Sequence, residues 1–309
     1  MTWLILAIIS YAILGFTTVG DKYLLSGPIP NPVNYTFCIG MLGLLVLFFT
    51  PFLGFPLPPF GYLFASMLSG AFFICALLPL NYGIKKFEAS RILPATGGFT
   101  PLFTLVFTVF ALPLGKSMSP EELVAFALLV WGSITITAEA GKSVISKSLR
   151  LALLSSLFFA ASFVLSKYVY LNQSFWTGFL WMRIGGGIVA LIAFLALREL
   201  REKVFVSLKT HPSLPAKKTA RLFLGNQTLG ASAIVLQSAA VYLAPTHSIA
   251  FINALEGIQY AFLLFYLYIL VARFPHVFRE AFQRNILAKK IFSIVLIILG
   301  TAFLAFGGR

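Results

Sequence analysis

Long apolar stretches separated by short links constrain this 309-residue chain more than any other feature. A helix that crosses a bilayer needs about 20 apolar residues, because it rises ~1.5 Å per residue through ~30 Å of hydrocarbon. The composition agrees, with 59% hydrophobic residues, 10% charged residues and a mean hydropathy of +0.94. Soluble domains carry about 25% charged residues. The sequence therefore predicts an all-α integral membrane protein.

The apolar stretches predict ten transmembrane helices. They are Thr2–Leu25, Val33–Leu53, Tyr62–Gly83, Arg91–Leu114, Glu122–Ala138, Ser148–Leu171, Phe175–Leu197, Arg221–Tyr242, Thr246–Ala272 and Lys290–Phe306. The N-terminal residues have no basic segment and no clear cleavage site. We interpret them as the first membrane helix and not as a signal peptide.

The two halves of the chain resemble each other. An offset of 145 residues aligns Lys22 with Lys167, and an offset of 158 residues aligns Ser90 with Ser248. We predict a first repeat over residues 1–140 and a second over residues 148–307. Because five helices per repeat is an odd number, the repeats must have opposite orientations, as in many secondary transporters.

Loop charges predict the orientation of the chain in the membrane. All but four of the 23 lysines and arginines lie in the links after the first, third, fifth, seventh and ninth stretches. The exceptions are Lys116, Lys167, Arg183 and Arg309. The positive-inside rule places the five links that carry the other lysines and arginines in the cytoplasm. Both termini of this multi-pass protein of the plasma or inner membrane are therefore predicted to be non-cytoplasmic.

The net charge of +14 has the same explanation. The basic residues follow hydrophobic stretches, where they hold loops in the cytoplasm and attract anionic lipid. We therefore expect the lipid bilayer as a partner, and we expect no nucleic acid.

The ninth stretch, Thr246–Ala272, carries the most informative polar residues. Glu256 lies near its middle, where an unpaired charge costs ~3 kcal/mol or more. Asn253, Gln259 and Tyr260 lie within four positions of Glu256 and share roughly one helical face with it. That face must contact protein or water. We predict a substrate-binding or coupling site there, with a purely structural partner for Glu256 as the alternative.

Arg183 is the other ionisable residue deep in a predicted membrane helix. It is either the counter-ion of Glu256 or an anchor for an anionic substrate group, bound through two hydrogen bonds. The alternative is that its long side chain reaches the membrane interface. A tight pair with Glu256 would hold the carboxylate charged, which disfavours proton carriage.

The fourth stretch has a polar stripe and several helix-weakening residues. Threonines recur at every fourth position from Thr96 and Thr100 onwards, and Pro94 and Pro101 interrupt the same helix. We predict a broken helix that lines a substrate cavity. The alternative is that the threonines bond back to their own helix. Gln237 in the eighth stretch is a further candidate for the lining.

Sequence motifs argue against enzymatic function. Metal-dependent transfer chemistry needs clustered carboxylates or histidines, whereas the nine Asp and Glu residues are mostly isolated or in loops. The zinc-protease, serine-hydrolase and nucleotide-phosphate motifs do not occur. We predict that the chain is not an enzyme and uses no metal or cofactor. A channel remains an alternative, although no ring of charges or filter sequence appears.

Two segments resemble the drug/metabolite transporter superfamily, in particular its EamA-like members. They are EASRILPATGGFTPLFTLVF in the first half and THSIAFINALEGIQYAFLLF in the second, both similar to the family's fourth repeat helix. GSITITA and the C-terminal GTAFLAF resemble its glycine-containing fifth helix. The resemblance implies a central cavity lined by the first, third, fourth, sixth, eighth and ninth helices, and alternating access.

Together these observations predict a secondary transporter or exporter. Its partner would be a small polar or amphipathic metabolite, with a proton as a candidate coupling ion. The alternatives are a flippase for lipid or lipid-linked headgroups and a structural membrane protein without a cavity.

Overall fold

The computed structural model describes residues 2–111, 120–137, 147–202, 214–245, 252, 255–273 and 284–307. Within these ranges the chain is helical, and it contains no β-strand. Five of the described helices are long and apolar enough to cross a membrane. These helices make the chain a multi-pass membrane protein.

The helices follow the predicted apolar stretches closely. In chain order they are α1 (Thr2–Ser26), α2 (Pro32–Gly43), α3 (Phe60–Lys86), α4 (Ala89–Ala111), α5 (Pro120–Thr137), α6 (Lys147–Asn172), α7 (Phe175–Ala196), α8 (Leu214–Leu243), α9 (Glu256–Arg273) and α10 (Arg284–Gly307). Helix α2 continues through the 3-10 helix Leu44–Phe49 and the short α-helix Thr50–Leu53. Each predicted stretch overlaps one of these helices. That all ten cross a membrane stays a prediction.

Local sequence signals set two of the helix starts. Asn31 precedes α2, and its side chain accepts hydrogen bonds from the backbone N–H groups of Val33 and Asn34. Ser174 accepts one from the N–H of Thr177 at the start of α7. Asn and Ser are preferred at this position because they satisfy N–H groups that lack a partner within the helix.

The fourth helix is not broken, contrary to the sequence prediction. Helix α4 runs continuously from Ala89 to Ala111 with Pro94 and Pro101 inside it. Proline removes one hydrogen bond from a helix, but neighbouring helices in a bundle hold the chain in place. Helix α4 packs against α5 and α6, so its prolines are accommodated without a break.

The described residues of the predicted ninth stretch do not form one continuous helix, because Ile252 is helical and Leu255 forms a turn. The sequence placed Glu256 near the middle of Thr246–Ala272, whereas the structure has a turn at Leu255 and starts α9 at Glu256. Residues 246–251, 253 and 254 lie outside the described residues. Glu256 therefore occupies the first turn of a helix. An acid is electrostatically favourable there, because the backbone N–H groups of that turn point towards it.

Several helix contacts occur as matching pairs, although among the described residues the contact of α3 with α7 has no comparable counterpart between α8 and α2. Helix α3 packs against α6, and α8 packs against α1. Likewise α4 contacts α6 as α9 contacts α1, and α4 contacts α5 as α9 contacts α10. Within each pair, adding five to both helix numbers of the first contact gives the second contact. Numbers above ten start again from one, so that α6 corresponds to α1.

Individual hydrogen bonds follow the same correspondence. Ser10 of α1 donates its hydroxyl to the carbonyl of Ala233 in α8 at 2.8 Å. Ser155 of α6, at the 145-residue offset, donates to the carbonyl of Ala76 in α3 at 2.9 Å. Because the chain makes the same inter-helix contact twice, the two halves place their first and third helices in equivalent ways.

Two lysines extend this correspondence to the helix ends. The Lys22 ammonium donates to the carbonyls of Ile84 and Phe87, each at 2.6 Å, at the C-terminus of α3. The Lys167 ammonium donates to the carbonyls of Val241, at 3.0 Å, and Ala244 at the C-terminus of α8. The side chains are only 8% and 2% exposed. Both ammonium groups are therefore buried and satisfy carbonyl groups at helix C-termini.

Close backbone contact joins α3 to α7. A Cβ atom added at Gly70 would lie 1.7 Å from the carbonyl oxygen of Met182, and one at Gly185 would lie 2.1 Å from that of Met67. Only glycine leaves enough room for helices to approach this closely.

Candidate functional site

A cavity of about 130 Å³ lies between the two halves of the bundle. Helices α1, α3, α4, α6, α8 and α9 line it, with one residue from α2. These are the six helices that the family resemblance implies. The polar lining consists of Thr17, Thr18, Asp21, Asn81, Thr96, Asn226, Gln227, Gln237, Glu256 and Gln259. Both halves therefore contribute polar groups to one internal space.

Glu256 lines this cavity from the start of α9. In the described part of the chain it forms no ion pair. Its carboxyl group lies next to the Tyr260 side chain, whose hydroxyl can act as a hydrogen-bond donor to it. That Glu256 binds a substrate or a proton stays a prediction.

Three other predicted residues line the same cavity, namely Thr96, Gln237 and Gln259. The side-chain amide of Gln237 donates to the hydroxyl of Tyr11 at 3.3 Å. That of Gln259 is 3.5 Å from the hydroxyl of Thr18, at the long limit for a hydrogen bond. Both amides are therefore tied to α1, which fixes their orientation towards the cavity.

The threonine stripe is split between two roles. Thr96 lines the cavity, whereas Thr100 is fully buried and does not. Each hydroxyl donates to its own helix, Thr96 to the carbonyl of Ile92 and Thr100 to the carbonyl of Thr96. For Thr100 the structural alternative is therefore correct, because its side chain turns into the helix packing instead of the cavity.

Tyr260 is a packing residue between α9 and α4. It is 1% exposed and is absent from the cavity lining. Its hydroxyl lies against Gly97, where an added Cβ atom would come within 1.4 Å. Asn253, the remaining candidate on this segment, lies outside the described residues.

Arg183 lies away from the main cavity. Its guanidinium carbon is 5.1 Å from the ring centroids of both Phe73 and Phe179. It borders two small neighbouring voids of about 20 Å³ each. Within the described residues it forms no ion pair with Glu256. The ion pair with Glu256, one of the alternatives for Arg183, is therefore not found among the described residues.

The structure adds a second acid that the sequence analysis did not select as a site residue. Asp21, near the end of α1, lines the cavity and is the only Asp in the chain. Its Oδ1 accepts from the Tyr35 hydroxyl at 2.5 Å and from the Asn226 amide at 2.6 Å. Gln227 donates to the same Tyr35 hydroxyl at 3.0 Å. The location of Asp21 in the cavity wall depends on Tyr35 of α2 and Asn226 of α8, which are distant in the chain.

Comparisons with known proteins support the fold and give no function. No family model and no curated protein matches this sequence. One solved crystal structure, whose description names no activity, matches with a TM-score of 0.57. The match covers 97% of this chain and 94% of that chain, at 15% sequence identity. At this identity the likeness is one of fold alone.

Proposed function

We propose that this protein is a secondary transporter that moves a small polar or amphipathic metabolite by alternating access. The observation that carries the proposal is the polar cavity of about 130 Å³ between the two halves of an otherwise apolar helix bundle. Polar groups are costly inside a membrane, and they usually mark a substrate or ion path. Transporters of this type place their site at the interface between two repeats.

The proposal includes ten membrane crossings arranged as two inverted repeats. The matching contacts of Ser10 and Ser155, and of Lys22 and Lys167, support it. Rocking one repeat against the other around the cavity would then open it to each side in turn. Both termini would be non-cytoplasmic, and a fluorescent protein or a periplasmic phosphatase fused to the C-terminus reports on this directly.

Glu256 is the proposed binding or coupling carboxylate. It combines a carboxyl group that lines the cavity with a position at the turn where α9 begins. Helix ends inside a bundle are common ligand sites in transporters, because backbone groups there lack partners within the helix. A proton exchanged at this carboxyl is the coupling ion that we propose.

The cavity volume weighs against the two alternatives. A structural protein without transport activity would need a solid interface between the halves, whereas this interface contains a polar space. A cavity of about 150 Å³ holds benzene, so the space here suits a small solute better than a lipid headgroup with its chains.

A binding screen followed by reconstitution tests the proposal. Purified protein is first screened by thermal shift against amino acids, nucleosides, sugars, amines and small organic acids, since a ligand of the folded state raises its stability. Hits are then followed in liposomes with a pH-sensitive dye inside. We expect uptake and a coupled pH change, both lost in Glu256→Gln and kept in Glu202→Gln, whose acid is exposed.

The result that would overturn the proposal is equally concrete. If Glu256→Gln transports every hit as well as the unchanged protein does, Glu256 is not the coupling group. If the reconstituted protein moves none of its ligands, the chain is not a transporter of them.

A further inference from the structure

The charges of the cavity lining have one sign. Among the described lining residues, the charged ones are Asp21 and Glu256, and the lining contains no lysine or arginine. Asp21 is bound by neutral donors, the hydroxyl of Tyr35 and the amide of Asn226. Neither acid forms an ion pair within the described part of the chain. The described part of the protein therefore supplies this space with two carboxyl groups and no lysine or arginine.

Two buried basic groups, those of Lys22 and Arg183, are absent from the described lining of the cavity. The Lys22 ammonium donates to the carbonyls of Ile84 and Phe87, which end α3. The Arg183 guanidinium carbon is 5.1 Å from the ring centroids of Phe73 and Phe179, and the residue borders separate voids. Within the described residues, neither cation forms an ion pair with Asp21 or Glu256.

Aromatic rings form part of the remaining wall. Phe159 and Phe163, with ring centroids 6.5 Å apart, line the cavity on the α6 side. The face of an aromatic ring attracts a positive charge by roughly 0.5–2 kcal/mol. An anion would meet the same rings and two carboxylates, so both features of the lining disfavour it.

We propose that the cavity binds a small organic cation, an ammonium compound about the size of benzene, between Asp21 and Glu256. This inference rests on the proposed transport function for its purpose, although binding alone can be measured without it. A cation fills the cavity and neutralises acids that would otherwise be costly inside the bundle. The cavity volume of about 130 Å³ favours a small cation over drug-sized ones, whose pockets measure ~300–1,000 Å³.

Three probes of one shape and different charge test the proposal. They are choline, its neutral carbon isostere and the carboxylate of the same shape, titrated against the purified protein in nanodiscs by calorimetry. We expect choline to bind at least about tenfold more tightly than the neutral isostere, a factor that corresponds to ~1.4 kcal/mol. The carboxylate should bind most weakly. Equal affinity for all three probes, tighter binding of the carboxylate, or no binding of choline would overturn the proposal.

Variants locate the binding site. Asp21→Asn and Glu256→Gln should each weaken choline binding at least about tenfold, and they should change the affinity of the neutral isostere little. Glu202→Gln, at an exposed acid, is the matched control. If Asp21→Asn does not fold, the three-probe comparison on the unchanged protein still decides the outcome.

Two further experiments distinguish a free cation from a lipid headgroup, and the cation site from the proposed transport function. A short-chain phosphatidylcholine presents the same ammonium group on a lipid, and displacement of choline by this lipid at equal concentration would indicate a headgroup ligand. Uptake of choline into liposomes tests the transport function. Binding of choline without its uptake would contradict the proposed transport function and support the cation site. Uptake of only neutral or anionic solutes would support the transport function and contradict the cation site.

Discussion

The contact between Gly97 of α4 and Tyr260 of α9 gives a sharp test of the packing around the site. In Gly97→Ala the new Cβ atom would lie 1.4 Å from the Tyr260 hydroxyl oxygen and 2.5 Å from the ring carbon that bears it. Tyr260 is 1% exposed, so its ring has little room to move. Overpacking of a filled core costs about 1–3 kcal/mol. We expect Gly97→Ala to lower the stability of the detergent-solubilised protein by that amount, measured by thermal or denaturant unfolding.

Gly225→Ala is the matched control for this change. Gly225 lies in α8, and nothing comes within 4 Å of a Cβ atom added there. Alanine favours helix over glycine by ~1 kcal/mol, so Gly225→Ala should be neutral or stabilising. The double variant Gly97→Ala/Tyr260→Leu lacks the clashing ring. Its loss in free energy of unfolding should be at least about 1 kcal/mol smaller than the sum of the losses in the two single variants. If Gly97→Ala and Gly225→Ala are equally stable, the α4–α9 contact described here is wrong.

Two further predictions concern the buried lysines and the closest helix contact. Lys22→Met and Lys167→Met should each lower the free energy of unfolding by about 2–4 kcal/mol, because each ammonium donates to two helix-end carbonyls and such charged bonds are worth ~1.5–3 kcal/mol. Lys218→Met, at an exposed position, should change it by less than about 0.5 kcal/mol; equal effects at all three lysines would contradict their capping role. Gly70→Ala places a Cβ atom 1.7 Å from the carbonyl oxygen of Met182, so the yield of monodisperse protein on size-exclusion chromatography should fall sharply. An unchanged yield would show that α3 and α7 are farther apart.

The site was partly predictable because of its polarity. Glu256, Gln237, Gln259 and Thr96 were selected as polar groups within apolar stretches, and all four line the cavity. Thr100 was selected for the same reason, yet it turns into the helix packing. Polarity alone marks a residue as unusual in a membrane. It does not separate a hydroxyl that bonds to its own helix from one that faces a cavity.

Asp21 and Arg183 show what local sequence cannot reveal. Asp21 occupies a helix end, where an acid is ordinary, and its cavity position depends on Tyr35 from α2 and Asn226 from α8. Arg183 lies deep in its helix, which made a pair with Glu256 plausible, but it contacts phenyl rings instead. Both outcomes depend on residues far away in the chain.

The sequence by itself determined the class of the protein and the positions of its helices. Apolar length and the scarcity of charge are local properties, and they require helices because every backbone polar group in a bilayer needs a partner within the segment. The tertiary structure alone decided which faces of those helices meet. Residue spacing defines a face on one helix, but the rotation of that helix against its neighbours depends on packing across the bundle. For this reason the pairing of Arg183, the capping roles of Lys22 and Lys167, and the shared cavity of Asp21 and Glu256 emerged only from the folded chain.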